Sequence, residues 1–473
     1  MAKYRCIVCE FVYDEDKSSS LWMDVPEDYT CPVCGSAKKL HEKVEDAVSP
    51  SIESTHKDKS DFDSDNGLDD SLMRPSDDIE AYMADIHQMA ESGESITEPM
   101  RTRVPTFSWE ELLIKGAQLA TLPLNKDEQV EIETIIGPGA AKPLVIQMPF
   151  FITHMSFGAL SSEAKTALAK GSAAVRTAMC SGEGGILPSS IDNAYKYIFE
   201  YVPNRYSVTE DNLKRVDAIE IKFGQSAKPG MGGHLPGEKV TNEIAEIRDF
   251  PPGESITSPS KYDDIRSPAD LKKKINWLRE VSEGRPIGVK FAAGNIEADL
   301  EAALYAEPDF VTIDGRAGAT GAAPKYVKAS TSVPTIFALH RARKFLDENG
   351  AKNVSLIITG GIRISADIAK ALALGADAIA IGTTALMAIG CQQYRICNTG
   401  KCPMGIATQD PKLRGNLKID RAARRLENFL NVTSNELKDF ARLTGNQSVH
   451  SLSVSDLCTV NSEISNHTSI EHV

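Results

Sequence analysis

The chain has 473 residues, 41% of them hydrophobic and 25% charged, enough to bury one large core beside a small second domain. A formal net charge of -14 speaks against a broad basic face for nucleic acid or anionic lipid. No apolar run approaches the ~20 residues that cross a bilayer, and the N-terminus lacks an apolar signal, so a cytoplasmic, membrane-free protein is expected. Nine cysteines, gathered mainly into two tight groups, do not read as a secreted disulfide framework, and metal ligation is the better expectation.

The first group is Cys6-Ile7-Val8-Cys9 and Cys31-Pro32-Val33-Cys34. Two such knuckles enclose one tetrahedral ion, and their spacing alone leaves iron and structural zinc open. Together with Tyr4, Phe11-Val12-Tyr13-Asp14, Trp22 and Val25-Pro26-Glu27-Asp28-Tyr29-Thr30, they make the segment 3–43 resemble rubredoxin, in which an aromatic core packs beside a one-iron centre. The connection between the knuckles is short, and Glu10 stands where rubredoxins usually have glycine. The resemblance implies one rubredoxin-type iron on Cys6, Cys9, Cys31 and Cys34, in a domain of residues 1–45. Residues 46–78 are rich in Ser, Asp and Lys and poor in large apolar side chains, which predicts a flexible acidic linker.

Helices are expected around 78–91 and 108–119. Beyond them, apolar runs at 144–152, 217–223, 287–291, 310–313, 333–337, 354–359 and 378–382 suit strands covered on both faces. Helical patterns at 161–174, 268–282, 295–306 and 364–374 alternate with them. The alternation predicts an α/β fold, a (βα)8 barrel over 79–412, with a doubly wound open sheet as the alternative. Residues 413–473 read as a helical extension, with Thr433-Ser434-Asn435-Glu436 as a capping-box start for a helix through Leu443.

Cys391, Cys397 and Cys402 follow the last βα unit, with Pro403 after the third. Three thiolates point to a cluster with an incomplete ligand set, buried structural cysteines being the alternative. Cys180 and Cys458 stand alone and read as packing residues. Gly360-Gly361-Ile362-Arg363 and Gly382-Thr383-Thr384 each follow an expected strand, where backbone amides grip a phosphate in many barrels; tight βα turns are the bland alternative.

The run from Gly390 to Asp410, with its three cysteines, resembles the 3Fe-4S segment of glutamate synthases. Met155-Ser156-Phe157-Gly158-Ala159-Leu160-Ser161, Ser181-Gly182-Glu183-Gly184-Gly185 and the run from Ile221 through Lys228 to Gly237 resemble the same family, so the likeness covers about 105–412. It implies FMN, held by the two glycine turns, and a 3Fe-4S cluster on Cys391, Cys397 and Cys402, with 4Fe-4S left open. Cofactor contacts are then expected from Met155, Ser156, Gly158, Ser181, Gln225, Lys290, Gly360, Gly361, Arg363, Gly382 and Thr383. Glu183, Gln225, Lys228 and Arg205 become candidates for a 2-oxoglutarate and iminoglutarate pocket. Lys290 is expected to face the flavin ring, a salt-bridged barrel lysine being the alternative.

Two stretches depart from the large glutamate synthases: Tyr262-Asp263-Asp264-Ile265 stands where His-His-Asp-Ile is common, and Asp314-Gly315-Arg316-Ala317-Gly318 differs from Ser-Gly-His-Asp-Gly. No N-terminal nucleophilic cysteine and no Gly-x-Gly-x-x-Gly turn is present, so ammonia, from a separate glutaminase subunit or free, and electrons, from ferredoxin or a reductase, are expected from elsewhere. The expected reaction is reductive amination of 2-oxoglutarate through 2-iminoglutarate to L-glutamate. The alternatives are an N-methylglutamate synthase-like or other amino-acid flavoprotein oxidoreductase, and a non-catalytic electron-transfer subunit.

Overall fold

The computed structural model describes residues 2–6, 11–18, 20–33, 37–44, 74 and 76–473. The chain divides into two compact units, Met1–Thr97 and Glu98–Val473. Most of the expected linker lies outside the described residues, as do Cys9 and Cys34.

The first unit is carried by three short antiparallel strands in the order Val12–Asp14, Lys3–Cys6, His41–Lys43. So small a fold has little room for an aliphatic core, and aromatic rings supply it instead. Trp22 stacks on Tyr4 at 4.8 Å and meets Tyr13 and Tyr29 edge-on at 5.0 and 5.4 Å. Cys6 and Cys31 are buried within the same unit. The helix expected at 78–91 is present as Met83–Ser92.

The second unit is built on eight parallel strands closed into a barrel: β1 Phe150–Ile152, β2 Ala178–Cys180, β3 Lys196–Tyr201, β4 Ala218–Lys222, β5 Ile287–Ala292, β6 Phe310–Asp314, β7 Ser355–Thr359 and β8 Ala378–Ile381, which pairs back onto β1. The helices between and after these strands include α1 Ser162–Ala174, α2 Asn242–Arg248, α3 Thr335–Glu348, α4 Ser365–Ala373, α5 Thr383–Ile389 and α6 Ile419–Leu443, which packs on α1. At the N-terminal end of the strands an antiparallel hairpin, Thr134–Ile136 with Leu144–Ile146, stoppers the barrel. Its Ile136, Leu144 and Ile146 join Phe151, Ile198 and Phe310 in one buried cluster. Gly288 makes room for that filling, because a Cβ there would lie 2.0 Å from the Phe310 ring.

Helix α1 starts at Ser161, whose hydroxyl accepts the Ala164 N–H, and sends Lys165 inward to full burial. The Lys165 ammonium donates to the carbonyl oxygens of Met155, Cys180 and Ser181 at 3.0, 3.0 and 2.7 Å. Three protons meet three acceptors, so the chain leaving β1 is pinned to the chain leaving β2. No helix among the described residues is long and apolar enough to cross a membrane.

The structure corrects several element expectations. The run 144–152 is two strands, since Pro149 has no N–H to continue a ladder. Residues 108–119 form one 3-10 turn, Trp109–Glu111, and a strand, Leu112–Ile114, which pairs with Leu457–Thr459 from the far end of the chain. The run 333–337 opens α3 rather than a strand; its apolar residues are the buried face of a first helical turn. Thr433-Ser434-Asn435-Glu436 lies inside the 25-residue α6, with Thr433 and Ser434 buried and Glu436 accepting from the Ser365 hydroxyl. The extension 413–473 belongs to the same compact unit as the barrel.

Replacing Lys165 with Met should leave three buried carbonyls without donors, at ~1–3 kcal/mol for each left unsatisfied, partly offset by removing a buried charge. We expect the thermal unfolding midpoint to fall by about 4–10 °C. An unchanged midpoint by circular dichroism would show that the clamp is dispensable.

Candidate functional site

All eight strands end on one side, and there they enclose an open cavity of about 230 Å³. Met155 and Ser156 enter it after β1, and Glu183 after β2. Lys222, Gln225 and Lys228 come from β4 and its loop, and Lys290 from β5. Gly360, Gly361 and Arg363 follow β7, Gly382 and Thr383 follow β8, and Cys391, Cys397 and Cys402 complete the lining. With Glu200 of β3 and Asp314 of β6, which also line it, residues from all eight strands and one later loop meet in one space.

Three sequence candidates do not line the cavity. Gly158 is packed behind it, where a Cβ would lie 2.9 Å from Leu235 and 3.1 Å from Arg248. Ser181 is fully buried, donating to the Gly182 carbonyl and accepting the Glu200 N–H. Arg205, in the left-handed region at φ 56°, has its guanidinium on Asp264 at 2.8 Å, with half its side chain exposed.

Below the cavity the barrel interior is ionic. Lys290 lies 3.5 Å from Glu200 Oε1 and 3.8 Å from Glu220 Oε2. His154 Nε2 lies 3.2 Å from Glu220 Oε2, while its Nδ1 accepts the Gly182 N–H at 3.1 Å, which places the imidazole proton on Nε2. Burial alone would strip the Lys290 charge, but Glu200 and Glu220 hold it firmly protonated. Burial likewise pushes Glu220 up, and the Lys290 charge with hydrogen bonds from His154 and Thr312 brings it down to about 2. Lys290 therefore lines the cavity while sitting in a salt bridge, the alternative reading of this residue. His154, Glu200 and Glu220 escaped the sequence reading; the available signal was charge inside strand runs that are otherwise apolar.

A second pair stands higher. Lys222 Nζ lies 2.7 Å from Glu183 Oε2, and the Gly233 N–H donates to Glu183 Oε1 at 3.0 Å. Burial raises the Glu183 carboxyl, yet Lys222 pulls it down to about 2, so it is a fixed anion facing the cavity. Lys228 is also buried, and burial depresses its ammonium against the attraction of Glu183. Arg248, the last residue of α2, was missed by the sequence reading. It lines the cavity, donates to the Phe157 carbonyl at 2.7 Å, and keeps a buried Nε–H with no partner among the described residues.

The donor sets fit the expected groups. Gly360 and Gly361 have φ of 115° and 86°, and a Cβ on Gly360 would lie 2.2 Å from the Gly315 carbonyl, so the backbone stays bare where Arg363 and Gly382 also face the cavity. Bare backbone beside a guanidinium suits a phosphate such as that of FMN. Cys391, Cys397 and Cys402 offer three soft sulfurs in one lining, held by a Gln393 amide at 3.2 Å from Cys391 Sγ and by the Lys239 ammonium on the Cys397 carbonyl at 2.6 Å. Burial, then the neighbouring Cys391 and Cys402, push the Cys397 thiol up to about 12, a cost that a bound cationic cluster would reverse. In the first unit, sulfurs of Cys6 and Cys31 fall within 4.8 Å of each other, close enough to share one ion.

The family described as the conserved region in glutamate synthase matches residues 83–447, and rubredoxin matches residues 3–41. A glutamate synthase large subunit-like protein of Rhizobium meliloti is 38% identical over 383 residues, 77% of this chain and 86% of that protein. An archaeal-type glutamate synthase [NADPH] of Thermotoga neapolitana is 37% identical over 395 residues, 78% of each chain. An archaeal glutamate synthase [NADPH] of Methanocaldococcus jannaschii is 41% identical over 331 residues, 69% of this chain and 64% of that protein.

Glu183 and Glu220 fall from an ordinary 4.5 to about 2 in the folded chain, so above pH 4.5 both are ionised in either state and their stabilisation is complete. Between 4.5 and 2 the unfolded chain binds more protons, and that stabilisation is lost as pH falls. We expect Glu183→Gln to flatten the fall of the unfolding midpoint between pH 4.5 and 2 relative to the unsubstituted chain. Parallel curves would mean the Lys222 pair does not hold the carboxylate.

Proposed function

The chain belongs to the glutamate synthase family, and on that premise we propose that this oxidoreductase of the CH–NH2 class reduces 2-iminoglutarate, formed from 2-oxoglutarate and ammonia, to L-glutamate. The observation that carries the reading is the pairing of two buried cations, Lys228 and Arg248, with the anion Glu183 around one cavity. A dicarboxylate needs two cations, and the unpartnered Arg248 Nε–H and the buried Lys228 ammonium are suited to one carboxylate each. Arg205, turned onto Asp264, gives up that role to Arg248.

Glu183 would attract the protonated imine and orient its N–H. Lys222 keeps Glu183 ionised for that purpose, and Gln225, whose amide donates to Thr320 at 3.2 Å, would fix the substrate from the same loop as Lys228. Met155, Ser156, Gly360, Gly361, Arg363, Gly382 and Thr383 would hold FMN, with Lys290 beneath it, and Cys391, Cys397 and Cys402 a 3Fe-4S cluster. When bound, FMN supplies hydride for the imine carbon, and the cluster and the iron of the N-terminal unit supply one-electron chemistry. The His154, Glu200 and Glu220 layer keeps the floor of the site charged and fixed, so that Lys290 remains cationic without substrate.

Anaerobic turnover of the purified chain with 2-oxoglutarate, ammonium and a chemical reductant should yield glutamate. A preference for methylamine would redirect the reading to an N-methylglutamate synthase-like enzyme, and no amino acid from either amine would leave an electron-transfer subunit. Lys228→Met should raise KM for 2-oxoglutarate about 10–100-fold, the equivalent of the ~1.5–3 kcal/mol of a charged hydrogen bond.

Electrons are proposed to enter through the N-terminal unit, which matches rubredoxin and precedes a barrel without a Gly-x-Gly-x-x-Gly turn. Two of the relatives carry NADPH in their names, so the donor is the sharper question. Deleting residues 1–45 should spare dye-driven turnover and slow turnover with reduced ferredoxin. Equal ferredoxin rates, or NADPH-driven turnover of both forms, would place the entrance elsewhere.

A further inference from the structure

Lys239 ends a single 3-10 turn, Gly237–Lys239, in the loop that leaves β4, and only 7% of the residue is exposed. Its ammonium donates to the Cys397 carbonyl at 2.6 Å. The aliphatic stem runs along the turn between Cys397 and Cys402: a Cβ on Gly400, which has φ 74°, would lie 3.0 Å from Lys239 Cε and 3.6 Å from its Cγ. Glycine at that place keeps the path of the lysine open, so both segments are shaped for the contact.

A buried ammonium is costly unless an anion stands beside it. Three other enclosed lysines of this unit meet that need with carboxylates: Lys222 with Glu183 at 2.7 Å, Lys290 with Glu200 at 3.5 Å and Lys328 with Glu98 at 2.7 Å. Lys165 meets it with three carbonyls. Among the described residues Lys239 has the one carbonyl and no carboxylate within 4 Å. What it shares a wall with is sulfur, because Lys239 lines the cavity together with Cys391, Cys397 and Cys402. An iron–sulfide core is cationic, yet with three thiolates it becomes a net anion, and one-electron reduction makes that anion more negative. A fixed positive charge beside it favours the reduced form, most of all where water is excluded.

We propose that Lys239 is the counter-ion of the iron–sulfur cluster on Cys391, Cys397 and Cys402 and raises its reduction potential. The inference rests on the cluster proposed above for those three cysteines, and it is independent of which amine or keto acid the cavity takes. Lys239 acts on the cluster through its charge, so a neutral side chain of the same length would fill the space without replacing the effect.

A redox titration of the full chain with its cofactors in place, followed by the electron paramagnetic resonance of the oxidised cluster, reads the effect directly. In Lys239→Met the midpoint should move to a more negative potential, while Lys239→Arg, which keeps the charge, should stay closer to the unsubstituted chain. An unchanged midpoint in Lys239→Met overturns the proposal and leaves the lysine a packing residue. If Lys239→Met loses the cluster, iron and acid-labile sulfide in the two variants decide. Retention in Lys239→Arg alone supports a counter-ion, and loss from both shows that shape rather than charge matters and overturns it. An unsubstituted chain with neither acid-labile sulfide nor a cluster signal refutes the cluster itself, and the role of Lys239 with it.

Discussion

Parallel strands in a closed ring all end on the same side, and the space they enclose has to be filled with side chains. In this barrel the filling changes character along the axis. The lower part holds Phe151, Ile198 and Phe310 under the hairpin that carries Ile136 and Leu144. The upper part holds Glu200, Glu220 and Lys290, charges that are tolerable in a protein interior because each carboxylate lies within about 4 Å of the ammonium, with the neutral His154 ring 3.2 Å from Glu220. The cavity rests on that layer. Removing Lys290 would leave the buried Glu220 carboxylate without a cation directly beneath the ligand space, so the site and the interior of the fold are one electrostatic object.

What could be read in the sequence depended on how local the determining interactions are. That Cys391, Cys397 and Cys402 come to one cavity, and Cys6 to Cys31, could be read because cysteine spacing is a property of a short stretch. The longer apolar strands were legible for the same reason. Strand β2 is three residues long and β3 carries a charge at Glu200, next to its last residue, and both were missed, although without them the ring does not close. Leu112–Ile114 takes its strand conformation from Leu457–Thr459, a partner that no local window contains.

The site residues divide in a similar way. Glycine turns and strand-end lysines follow the chain direction and came together as expected. Arg205 did not, because its left-handed backbone turns the guanidinium outward to Asp264, while Arg248 enters the cavity from the end of a short helix that carries no motif.

The hairpin across the bottom of the barrel has a consequence for traffic. With Ile136, Leu144 and Ile146 almost wholly buried in the stopper, small molecules have the strand-end mouth as their doorway. Reactant and product would then share one passage, and a bound product obstructs the next arrival. Inhibition by product should therefore be competitive with the keto acid, a kinetic signature set by the architecture of the barrel rather than by the chemistry at its mouth.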